Sequence, residues 1–164
     1  MAKWIYVCLC VLLLPAAGIA QVTVSQGSSP GVDRSIFGMG LSAGLGSGFG
    51  LSFRHHLPGR FSYQVVGGVI KAGSKLHYNV GGELQFDLIR NESTRFHAAG
   101  AAGYFFSGEN ETNDVAGPVR EGLGIGVERG SERGLNFGAE LLFTFFSDGT
   151  ILPLPQVSMH YYFL

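Results

Sequence analysis

Ser158 and His160 stand two residues apart near the end of this 164-residue chain. On an extended strand such a pair shares one face. With a carboxylate such as Glu83 or Glu140 they would supply the nucleophile, base and orienting acid of an acyl hydrolase. His77, His97, Ser74 and Ser107 are further parts for the same chemistry. A histidine on the polar face of a strand more often completes a hydrogen-bond network, so the reading names no catalytic residue and expects no enzyme.

Other constellations carry less. His55 and His56 are adjacent, and adjacent side chains on a strand point to opposite faces, so they do not chelate one ion. Cys8 and Cys10 are the only cysteines, and both lie in an apolar run at the start of the chain. No metal and no cofactor is expected. Gly122-Leu123-Gly124-Ile125-Gly126 and Gly44-Leu45-Gly46-Ser47-Gly48 lack the following helix whose amides would bind a phosphate. Glu109, Glu111 and Asp114 form an acidic stretch that reads as a solvated loop, a surface for contact.

The elements that must position these residues follow from composition and periodicity. Lys3, an apolar run over residues 4–14, Pro15, and the small residues Gly18 and Ala20 have the layout of a secretory signal peptide over residues 1–20. Residues 21–34 are polar and read as a flexible leader. The remainder, 35–164, holds no cysteine, which excludes disulfides and thiolate metal sites there. Charged residues make up 14% of the chain, against about 25% in ordinary soluble domains. Glycine runs the other way, with 26 residues, about twice its usual share. The net charge of -1 and the lack of a basic run exclude nucleic acid as a partner. After residue 20 no apolar run is long enough for a spanning helix.

Alternation with a period of two dominates instead. In residues 76–88, Leu76, Tyr78, Val80, Leu84, Phe86 and Leu88 fall on one face; His77, Asn79, Glu83, Gln85 and Asp87 fall on the other. The pattern recurs, most clearly where Leu135, Phe137, Ala139, Leu141, Phe143 and Phe145 oppose Asn136, Glu140 and Thr144. Eight strands are predicted near 36–46, 48–56, 60–71, 75–89, 95–106, 119–129, 134–146 and 156–163. With both chain ends in the periplasm, the connections at 56–59, 90–94 and 130–133 are short turns, and residues 107–118 and 147–155 are the long outer loops.

A soluble lipocalin-like barrel would bury the apolar face around a ligand; a membrane barrel turns it outward to lipid. The polar face is Gly, Ser, Ala, Asn and Gln rather than Lys and Glu, and aromatics such as Phe61, Phe96, Tyr104, Phe145 and Tyr161 sit near strand ends. Both favour lipid. The predicted fold is therefore all-β: an eight-stranded antiparallel up-and-down transmembrane β-barrel. Its lumen would hold a polar network of Arg54, Glu83, Asp87, Glu128, Glu140, His77, His97 and His160, either as filling or as a narrow water path.

With its signal peptide, its eight strands and the final strand Val157-Ser158-Met159-His160-Tyr161-Tyr162-Phe163, the sequence resembles the small bacterial outer-membrane barrels of the OmpA and OmpX type. The resemblance spans nearly all of the chain after residue 20. It implies a Gram-negative outer-membrane location, contact with membrane lipids and lipopolysaccharide, and insertion by the barrel-assembly machinery, which reads the aromatic last strand. It implies a structural, adhesive or narrow-pore role. Some such barrels modify lipid A, but the His-x-Ser arrangement of the deacylases is absent here.

Overall fold

A computed structural model describes residues 32–109, 112–131 and 133–163. Eight strands follow in order: β1 (Ile36–Gly44), β2 (Gly48–His56), β3 (Phe61–Ala72), β4 (Lys75–Arg90), β5 (Thr94–Gly108), β6 (Val119–Arg129), β7 (Gly134–Phe146) and β8 (Ile151–Phe163). Each pairs antiparallel with the next. β8 returns to β1, with Phe37 opposite Phe163 and Ala43 opposite Val157, and closes the barrel.

The two faces separate as the alternation requires. Leu51 and Leu84 are 73% and 68% exposed on the outside, whereas Arg54 and Glu83 are 0% and 3% exposed inside. A water-soluble protein would not spread so continuous an apolar surface over every strand. Here the exterior is hydrocarbon-facing and the polar groups fill the centre. Aromatic pairs mark the ends of the apolar belt. Phe61 stacks obliquely on Phe86 at 5.0 Å near the terminal end, where β1 begins and β8 ends, and Tyr78 lies parallel to Phe106 at 4.8 Å toward the far end.

The strand pattern breaks at one bulge, between Asp87 and Ile89. The extra residue sends both Leu88 and Ile89 outward and lets Asp87 and Arg90 meet at 2.8 Å. At the far end Gly73, with φ of 64°, makes the two-residue turn between Ala72 and Lys75.

Two expectations change. Residues 147–155 are not a long loop, because β8 begins at Ile151 and pairs with β7 through Leu141–Pro155 and Phe143–Pro153. Proline lacks the N–H that a central strand needs, so the sequence reads as a loop. Before Val157, however, β8 is paired with β7 alone, and both prolines sit two residues apart on an edge that β1 does not reach. His56 is likewise not part of a turn; it ends β2 and is buried. Of the leader, Val32 is described. It exchanges two backbone hydrogen bonds with Gly59, at 2.8 and 2.9 Å, and packs with Ile36 and Tyr162 under the terminal end. The signal-peptide stretch, residues 1–20, and residues 21–31 lie outside the described residues.

Candidate functional site

The lumen is filled in layers. Nearest the terminal end, Arg95 donates to Asp87 at 3.0 Å, to Ser62 at 2.8 Å and to the side-chain oxygen Oε1 of Gln85. His56 meets the ring of Tyr162 edge-on at 4.9 Å. A cavity of about 20 Å3 opens beside Arg95, Glu128 and Tyr162, room for about one water.

Above it stands Arg54, fully buried. Its guanidinium donates to Glu128, to Gln64 through Nε at 2.7 Å, and to Ser158 at 3.3 Å. The hydroxyl of Tyr162 donates to the same Glu128 carboxylate at 3.0 Å. A charge in so dry a place must be paired, and here strands β2, β3, β6 and β8 each contribute to the pairing.

The next layer joins Glu83 and Glu140. The amide of Gln85 donates to Oε1 of both glutamates, and the amide of Gln156 donates to Oε2 of both. His97 places Nε2 3.0 Å from Glu140 Oε1. Ser158 and His160 do share the inward face, but they do not meet. Ser158 serves Arg54, while His160 Nε2 lies 2.8 Å from Ser52 Oγ.

The far end is closed by the chain itself. The turn after β1 folds into the lumen at Gly46 and Ser47 instead of rising above it; Ser47 is fully buried, while Leu45 stays exposed. At Phe49 the backbone leaves β3 and is held from β4, the strand beyond it, by Asn79, whose amide donates to the Phe49 carbonyl at 2.9 Å and accepts from its N–H at 2.9 Å. Ser47 Oγ donates to Gln156 at 2.9 Å, and Arg120 donates to the Leu45 carbonyl at 3.0 Å. Arg120 itself lies over the rings of Phe105 and Phe146, at 4.0 and 4.9 Å. Two inward glycines make room. A Cβ on Gly81 would collide with the Ser47 carbonyl, and one on Gly103 would stand 2.7 Å from the Gly46 carbonyl.

Seven of the eight residues assigned to the lumen from the sequence therefore lie in it: Arg54, Glu83, Asp87, Glu128, Glu140, His97 and His160. His77 does not join them. It has the inward parity, but β4 continues past the inserted turn, so His77 is half-exposed above it, opposite Ser107. Arg95, Gln64, Gln85, Gln156, Tyr162 and His56 complete the network. Parity with His97 was the signal for Arg95. At the far rim, Glu109 accepts from Ser74, and Asp114 pairs with Lys75 at 2.9 Å. Glu111 lies outside the described residues.

A closed ring of eight antiparallel strands with lipid outside and ion pairs inside decides the architecture. The fold is that of a small transmembrane β-barrel. No protein-family model matches the sequence, and no curated protein matches it. Among solved structures, the barrel is similar to the Yersinia pestis outer membrane protein Ail, with 14% identity, a TM-score of 0.44, and coverage of 80% of this chain and 100% of that one. It is also similar to Neisserial surface protein A, with 13% identity, a TM-score of 0.38, and coverage of 78% and 91%. The small barrel's architecture rests on its own strand pairing and its own two faces rather than on these likenesses.

Proposed function

We propose that this barrel resides in a bacterial outer membrane and acts through its far-end surface and its lipid-facing wall, as a structural or interaction protein and not as a solute channel or a lipid-modifying enzyme. The observation that carries this reading is the lumen. It is crossed by the Arg54–Glu128 and Arg95–Asp87 pairs and roofed by the inserted first turn. A solute path would have to break buried charge pairs, which is costly.

In this reading the terminal end faces the periplasm. Lipopolysaccharide and phospholipid chains cover the apolar belt, and the assembly machinery receives the last strand, whose Val157, Met159, Tyr161 and Phe163 face outward. The contact surface is the Glu109 and Asp114 loop together with the turn at Gly73.

Fractionation of expressing cells tests the location. The protein should enter the outer-membrane fraction and migrate faster on gels before heating than after; recovery in the soluble periplasm overturns the reading. Planar-bilayer recordings test the closed lumen. Reconstituted wild-type protein should give no steady conductance, and a stable open level would restore the pore reading.

A further inference from the structure

The fold gathers three metal-ligating side chains that sequence spacing could not bring together. Glu83 on β4, His97 on β5 and Glu140 on β7 are all buried. One carboxylate oxygen of each glutamate and one imidazole nitrogen lie within 4.8 Å of one another. We propose that Glu83, His97 and Glu140 bind one divalent transition-metal ion of the zinc class inside the barrel.

Charge is the first argument. Of the buried ion pairs, Arg54 is bonded to Glu128 and Arg95 to Asp87, which Arg90 also reaches at 2.8 Å from the terminal mouth. Arg95 also lies 3.6 Å from Glu128, and Arg54 lies 3.8 Å from Glu140, so three arginines face four buried carboxylates. Glu83 is the carboxylate that has no ion pair among the described residues. Gln85 and Gln156 donate hydrogen bonds to Glu83 and Glu140 but bring no charge. Two buried carboxylates side by side are what one divalent ion neutralises.

Geometry is the second. His97 is fully buried, and Nε2 is the ring nitrogen that faces the carboxylates. Its Nε2 stands 3.0 Å from Glu140 Oε1, close to the separation of two ligands at about 2.0–2.2 Å from a common zinc. Glu83, within 4.8 Å of the other two, would close in to complete three protein ligands, leaving a fourth position for water. The carboxylates keep free lone pairs beside the amide bonds they accept, and those amides fix their orientation, as outer-shell donors do at metal sites. Opposite them the wall is cut away. A Cβ on Gly126 would collide with Glu140 Cγ and stand 2.6 Å from His97 Nε2.

The test refolds the full chain into lipid with and without one equivalent of zinc chloride, washes with chelator, and counts zinc per folded chain by mass spectrometry. About one zinc per chain is expected, with a heat-modifiability transition raised by several degrees. His97→Ala and Glu140→Gln should each lower retained zinc at least tenfold while the gel shift of the folded barrel persists. Should either variant not fold, Gly126→Ala, which crowds the same two ligands, serves in its place. Folded wild-type protein without zinc overturns the proposal. So does zinc retained equally by His97→Ala, which would point to the outward His55 or the rim His77.

Discussion

Leu84 and Glu83 are neighbours on β4, yet they answer to different rules. Outside, Leu84 touches lipid and has no particular partner. Any apolar side chain of similar size meets the same demand. Inside, Glu83 is held by the amides of Gln85 and Gln156, one from its own strand and one from β8. The exterior is specified by chemical class, the interior by individual partners. The wall asks only for alternation, while each lumen is a private solution.

The sharpest way to break this contrast is to orphan an interior charge. Arg54→Met leaves Glu128 buried without its main cation and should cost about 3–5 kcal/mol, read as lost heat-modifiability or a lower urea midpoint in lipid vesicles. Adding Glu128→Gln should recover part of the loss; no recovery would mean that packing, not charge, fills the lumen. Next in size is a charge on the wall. Leu141→Arg or Val80→Arg should cost about 2–4 kcal/mol near the bilayer midplane, and normal insertion of either would disprove the face assignment.

The inserted turn gives a third, smaller effect. Gly81→Val crowds the Ser47 carbonyl and should cost about 1–3 kcal/mol. It should also produce transient openings in planar bilayers that wild-type protein lacks; a silent variant would show that the deeper ion pairs seal the lumen unaided. Smallest of all, Leu84→Met should shift the urea midpoint by less than about 0.5 kcal/mol equivalent. A large loss there would mean the wall has specific partners after all.

What was legible in the sequence divides along the same line. The faces of all eight strands could be read, because a period of two needs only residue class. Seven lumen residues followed from parity. The partners did not, since Arg54 meets Glu128 and Ser47 meets Gln156 across the closed ring, at separations that no local pattern encodes. Irregular places were missed for physical reasons of their own. Pro153 and Pro155 look like loop residues until one sees that they occupy an unshared edge. Gly46-Ser47 looks like an exposed hairpin tip; only Gly81 and Gly103, on strands opposite, leave the space that draws it inward.

Ser47 belongs to the first hairpin of the barrel and Gln156 to its last strand. Their hydrogen bond cannot form before synthesis and insertion have reached the final strand. A chain stalled one strand short would carry its first tip without the Gln156 anchor, held by Arg120 and Asn79 alone. The seated tip is thus a record that the circle has been completed, and a probe of Ser47 accessibility would distinguish finished barrels from arrested ones without any assay of function.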